Sequence, residues 1–325
     1  MFKTFNNNRG VALILTLLII SLIVTLTLQF NTSMRSEVHA AYNLRDGITL
    51  EYVAKSGFYG AMALLKDDDM TYDWLLDDWQ ILEQYAAFSP TLFEEETSFK
   101  VTIKDLTGEI QINKLIDNQS QVDPSQRDLL TRFLNLDEFD LESDQVDDIV
   151  DAVIDWLDPD DNTTGFGGAE NSYYQSLEDP YFCRNGPMES IEELLLVKGI
   201  TKELYEGTGG NPGIAEYLSV HGDGNININT ADKLVFKALS DDITDEVFED
   251  LDNYRRDENN ENDLKNTSWV QNVVSGISFA VGTTIKSTHF EITSIGKKDL
   301  MEKKIKTIVE RDPNGNLKVL SWKKS

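Results

Sequence analysis

A single cysteine, Cys183, stands among 325 residues, so the chain can form no internal disulfide and its fold must rest on packing and on any metal it binds. Basic residues are also scarce: 29 Lys and Arg against 57 Asp and Glu leave a formal charge of -28. A surface of that sign repels phosphate backbones, which argues against nucleic acid as a partner and favours cationic partners or divalent metals. Catalytic spacing is missing too. His39, His221 and His289 are scattered, neither GxSxG nor GxxxxGK occurs, and the acidic residues are too numerous to single out a catalytic pair. The glycines of Gly207 to Gly213 follow no strand pattern and read as a loop, not a phosphate cradle. No enzyme is expected. What remains is a chain with 40% hydrophobic residues, long enough for one large or two ordinary domains.

The apolar residues begin with a run. From Val11 to Leu28 there are eighteen residues without a charge, which nearly cross a hydrocarbon core of ~30 Å as a helix. The small-residue site that a secretory signal needs, "VHA" ending at Ala40, lies twelve residues past Leu28, too far for ordinary cleavage. Lys3 and Arg9 precede the run and the acidic bulk follows it, which places the N-terminus in the cytoplasm and the large domain outside. Val38, Ala41, Leu44 and Ile48 then recur at three- and four-residue spacing, so one long helix is expected to leave the membrane and continue into the soluble part.

A short polar leader ending in Gly10, then an apolar helix that runs into a soluble domain, resembles the precursors of type IV pilins and pseudopilins. The resemblance implies cleavage by prepilin peptidase after Gly10 and methylation of the new N-terminus, Val11. The family normally carries a glutamate at the fifth residue after the cut. Here that position is Leu15, a departure shared with the K-type minor pseudopilins of type II secretion.

Further along, Phe99, Val101 and Ile103 alternate with polar residues, and a second alternation follows at Ile110 and Ile112 across a Thr107-Gly108 turn. Near the C-terminus three more alternating runs are separated by "GKKD" and "DPNGN", which reads as an antiparallel meander. The residues between are mostly helical in pattern: Val146, Ile149, Val150, Val153, Ile154 and Leu157 share one helical face, with Asp144, Asp147, Asp148, Asp151 and Asp155 opposite. The expected fold class is α+β, a long N-terminal pilin-like helix packed on an antiparallel sheet with a large inserted α-helical domain. The divisions are a leader over 1–10, a transmembrane helix over 11–30, the pilin-like helix and first strands over 31–110, the insertion over 111–280 and C-terminal strands over 281–325.

One loop carries metal chemistry. In "DWLDPDDNTTGFGGAENSYY", Asp158, Asp160 and Asn162 take the first, third and fifth positions of an EF-hand, but Thr163 stands where its glycine belongs and Glu170 is thirteenth, not twelfth. The residues alone leave open a calcium loop of another shape or a solvated acidic turn. The K-type family, whose helical domain binds calcium in this kind of "GAE" loop, implies structural Ca²⁺ on Asp158, Asp160, Asn162 and Glu170. Two segments, "LLLVKGITKELY" and "GNININTADKLVFKAL", look like pieces of helix-hairpin-helix modules. They keep a membrane-tethered DNA-uptake or pilus-adhesion module as the alternative, although no basic patch lies near them to release counterions. The resemblance implies instead a single-pass inner-membrane protein with a periplasmic domain at the tip of the secretion pseudopilus. Its implied partners are the I-type and J-type minor pseudopilins and the major pseudopilin.

Overall fold

A computed structural model of the chain describes residues 9–80, 82 and 97–325. Of the expected leader only its last two residues fall among these, and the rest lies outside the described residues. Helix α1, Arg9–Asp67, runs 59 residues without a break, about 90 Å at 1.5 Å per residue. Its most apolar eighteen-residue window has a mean hydropathy of 2.9 and buries nothing against the protein, so the helix is long and apolar enough to cross a membrane. Its second half turns one face inward. Leu50, Val53, Ala54, Phe58, Ala61 and Leu65 recur at helical spacing and are all buried against a sheet.

That sheet has four antiparallel strands in the order β1-β8-β9-β10, with β1 at Thr97–Asp105, β8 at His289–Lys298, β9 at Met301–Arg311 and β10 at Leu317–Lys324. Alternation sets the faces: Val101, Ile103, Phe290, Ile292, Ile305 and Val309 are buried, and most of them join Phe58, Ala61, Leu65 and Trp79 in one core. Small residues bring helix and sheet together. A Cβ on Gly57 would stand 2.4 Å from Ser294 Oγ, and one on Gly296 would stand 2.5 Å from the Leu50 carbonyl oxygen. The meander is as the alternation predicts, but the first turn falls at Asp299 and Leu300, after β8 has already carried Gly296, Lys297 and Lys298.

The expected first hairpin does not form. β2 is only Ile110–Gln111, it pairs in parallel with β5 at Leu218–Ser219, and Ile112 opens a 3-10 turn. β1 pairs instead with β8, nearly two hundred residues later. The chain is diverted at Thr107, whose carbonyl accepts from Asn227 N (3.0 Å) and whose hydroxyl accepts from Thr288 N (2.9 Å), so backbone from within the insertion and from its end beside β8 claims the intended turn.

The insertion occupies the chain between β1 and β8. Its regular helices are α2 (Pro124–Leu134), α3 (Ser143–Leu157), α4 (Asn171–Tyr174), α5 (Lys202–Glu206), α6 (Lys233–Ala238), α7 (Asp245–Arg255) and α8 (Trp269–Val273). Short pairs complete it: β3 (Gly207–Thr208) with β4 (Asn211–Pro212), and β6 (Ile226–Asn227) with β7 (Thr283–Thr284). It has its own core, centred on Leu129, Phe133, Val150, Ile154, Phe236 and Trp269. The two helix-hairpin-helix-like segments feed that core through Leu194, Val197, Ile226, Ile228, Val235 and Phe236.

Polar pins join the insertion to the sheet. Buried Asp105, the last residue of β1, accepts from Ser287 Oγ (2.5 Å), Thr230 Oγ1 (2.5 Å) and Thr107 N (2.7 Å). Arg311, at the end of β9, bridges Asp68 (2.8 Å) and Asp73 (2.5 Å) and donates to the Ser287 carbonyl.

Candidate metal centre

Helix α3 is amphipathic, yet the C-terminal part of its acidic face is not left to solvent. Asp151 and Asp155 are buried, because residues 163–169 fold back and lie flat on them. Glycine makes the approach possible. A Cβ on Gly165 would stand 1.9 Å from Asp151 Oδ2, one on Gly167 2.1 Å from Asp148 Cα, and one on Gly168 2.2 Å from Asp155 Oδ2. Gly165 also takes a φ of +54°, where a side chain would be strained.

The carboxylates under this loop have unequal partners. Arg127 holds Asp151 at 2.8 Å. Asp155, Asp158 and Glu170 have no cationic partner among the described residues, and one carboxylate oxygen from each lies within 4.8 Å of the other two. Their relative exposures are 0%, 8% and 2%, so bulk water screens their mutual repulsion poorly. Asp155 Oδ1 accepts from Thr164 N at 2.8 Å, but Asp155 Oδ2 and both Glu170 oxygens have no hydrogen-bond partner among the described residues. Burial, then the neighbouring Asp155 and Asp158, pushes Glu170 up to about 8. Burial likewise raises Asp158 to about 6 and lifts Asp155. Asp155 and Asp158 also sit at the C-terminal end of α3, where the helix dipole is negative and favours a cation.

Three clustered carboxylates, with three of their oxygens unpartnered among the described residues, favour a positive ion, and the donor set selects among ions. All the donors are hard oxygens, and the Thr164 carbonyl stands beside the same point of Gly168 as Asp155 Oδ2, at 2.5 Å from a Cβ placed there. This suits Ca²⁺, which gathers oxygens from flexible loops. The nearest sulfur, Cys183, does not suit it to zinc: its Sγ is spent on the Asp155 carbonyl at 3.5 Å, and burial pushes the thiol up to about 11.

Of the four ligands expected from sequence, Asp158 and Glu170 are brought together. Asp160 and Asn162 are not: both are exposed, and Asp160 Oδ1 accepts from Asn162 N at 2.7 Å and Asn162 Nδ2 at 2.6 Å, a local turn on the loop's outer side. Asp155 takes the third place. Its signal was the stripe Asp151, Asp155, Asp158 at four- and three-residue spacing, one turn apart on one helix face. A second acidic trio, Asp68, Asp73 and Asp77, is already neutralised in part by Arg311. His221 and His289, scattered in sequence, stack at 6.0 Å, but neither joins a group of three potential ligands among the described residues. Gly10, Val11 and Leu15 occupy the first turns of α1 and are exposed among the described residues.

A continuous helix that is lipid-like at one end and sheet-bound at the other, with a separate α domain spliced into the sheet, defines a pilin-like anchored protein. Comparison with known proteins narrows this. Residues 108–208 match the family model described as type II secretion system protein K. Type II secretion system protein K of Aeromonas hydrophila is 27% identical over 205 residues, covering 60% of each chain. That of Pectobacterium carotovorum subsp. carotovorum is 28% identical over 222 residues, 62% of this chain and 61% of that one. The matched part thus spans about three fifths of these relatives' length. A chain of the GspK-GspI-GspJ complex from the enterotoxigenic Escherichia coli Type 2 Secretion System has the same fold, with a TM-score of 0.64 over 89% of this chain and 99% of that one, at 16% identity. In sequence the chain is thus similar to the type II secretion system protein K family over residues 108–208, and its fold is similar to that of a chain in the GspK-GspI-GspJ complex.

Proposed function

We propose that this chain is a minor pseudopilin of the K type, a single-pass inner-membrane protein whose periplasmic domain stands at the tip of the type II secretion pseudopilus. It works by assembly with I-type and J-type minor pseudopilins, above the major pseudopilin, and not by catalysis. The observation that carries this reading is α1: 59 residues of unbroken helix, bare along its apolar half and sheet-bound along the rest. A bare apolar helix of that length serves a membrane first and neighbouring helices afterwards. Prepilin peptidase would prepare it by cutting between Gly10 and Val11, followed by methylation of Val11. The metal centre is structural in this reading: Ca²⁺ on Asp155, Asp158 and Glu170 fixes the glycine loop to α3.

The test is mass spectrometry of the protein extracted from membranes of cells that carry its own secretion system. Loss of ten residues with one added methyl group is expected. An intact N-terminus, or one beginning at Ala41, overturns the reading.

A further inference from the structure

Positive charge is not spread evenly over this acidic chain. Nine of its 29 Lys and Arg, but only four of its 57 Asp and Glu, lie between Lys297 and Ser325. The fold gathers many of them at one end. Lys298 bonds Asp46 (3.1 Å) and Lys324 bonds Glu51 (2.5 Å), both on α1, while Arg311 at the opposite end of β9 reaches Asp68. Since α1 runs from its apolar half towards Asp67, the β8–β9 hairpin is the end of the sheet nearest the anchor.

Three lysines of this hairpin are left over. Lys297, Lys303 and Lys304 make no ion pair among the described residues, and neither do the nearby Asp299 and Glu302. Strand register puts Lys303 opposite Gly296 on the face towards α1, and Lys304 opposite Ile295 on the other face, so positive charge shows on both sides. Leu300, at the apex, is fully exposed. Unpaired ammonium groups around a bare apolar tip form an outward-facing contact surface in a protein that is otherwise acidic.

Height decides what can reach it. Asp46, which marks the hairpin's level, is eighteen residues beyond Leu28, hence about 27 Å past the end of the apolar run. Screening at physiological salt acts over ~8 Å, so anionic headgroups exert little pull at that distance. A second copy anchored alongside would bring the same lysines to the same height and repel. A space of this depth beside α1 fits a folded domain. We propose that the lysine-tipped β8–β9 hairpin docks on the acidic upper face of a different pilin-like subunit, one whose soluble domain stands nearer the membrane. The proposal rests on the pseudopilin reading above.

The experiment uses the full-length chain in detergent micelles and the I-type, J-type and major pseudopilins encoded in the same genome, with affinity measured for each at low and high salt. Wild-type binding to at least one of them should weaken with salt. The K297E/K303E/K304E variant should bind that subunit about tenfold more weakly or worse, and K297Q/K303Q/K304Q should fall between them. Lys318→Glu, at the far end of β10, should bind as wild type does, and matching melting curves establish that all variants fold. Equal binding by wild type and both triple variants overturns the inference while leaving the pseudopilin reading intact. Binding of the wild type to no subunit overturns both. Lysine-dependent binding to vesicles of anionic phospholipid, with subunit binding unchanged in the variants, overturns it in favour of a membrane contact.

Discussion

Glu170 has the greatest need of a cation, since both its oxygens are buried without a partner among the described residues and two more carboxylates stand beside it. Calcium at a hundred times its dissociation constant would stabilise the fold by about 2.7 kcal/mol, or about 5–10 °C in melting temperature for a domain of this size. Glu170→Gln and Asp155→Asn should each abolish most of that gain while raising the stability of metal-free protein, because each removes repulsion. Asn162→Ala should leave it nearly unchanged, since Asn162 bonds only Asp160 on the exposed side. The pH dependence follows from the raised carboxyls. A carboxyl that binds its proton more tightly folded than unfolded stabilises the fold at low pH and loses that contribution as pH rises through its folded value. Metal-free protein should therefore weaken between the ordinary carboxylate range and about 8, where Glu170 titrates. The calcium-dependent gain should grow over the same window. Calorimetry with calcium and with chelator across that range checks both; a gain independent of pH, or equal in Glu170→Gln, contradicts the assignment. Asp158 and Glu170 were legible in the sequence as oxygen donors around a glycine loop. Asp155 was not, because periodicity assigns it to the same face as exposed Asp148, and only the loop's return separates the two.

Among the elements, α1 and the C-terminal meander were plain in the sequence because their signals are local: an uncharged run, helical recurrence, period-two alternation and turn residues. Partnership is not local. Alternation at Phe99, Val101 and Ile103 shows which side of β1 is apolar, but β8 is chosen by a chain that returns from the insertion, and Ile110 finds Leu218 in the same way. The helical insertion is also less helical than its pattern, with helices as short as Asn171–Tyr174 set between turns and two-residue strand pairs. Where α1 crosses the sheet, the glycines decide the fit. Gly57 has Ser294 Oγ and Val101 Cγ2 within 2.6 Å of where a Cβ would stand, so Gly57→Leu must force helix and sheet apart, at about 1–3 kcal/mol for overpacking. Gly60→Leu is the control, because nothing lies within 4 Å of a Cβ there. Urea denaturation should show a lower midpoint for the first variant only; equal midpoints mean that helix–sheet contact contributes little to stability.

The whole molecule combines a bare helix, a basic lower rim and a large acidic domain pinned beside the sheet through Asp105 and Arg311. These features bear on where in a filament it can stand. In a pilin-like filament each new subunit enters beneath earlier ones, and a carboxylate near the head of its helix can pair with the amine of its neighbour. An unpaired charge at the centre of a membrane costs at least ~2.5 kcal/mol on insertion scales, so such a pairing steers a subunit to a place beneath another. Leu15 supplies no carboxylate. A subunit without that need can stand first, with nothing above it, and the insertion, joined to the sheet by its pins, would obstruct another subunit placed overhead. The expected distribution is one copy per filament, at one end. Labelling the chain and counting label on purified pseudopili checks this: the number per filament should stay at about one as filament length grows. Leu15→Glu should leave the count and the end position unchanged, since the added carboxylate has no partner above it. Label spread along the filament in proportion to length would place this chain among the stacking subunits and remove Leu15 from the explanation.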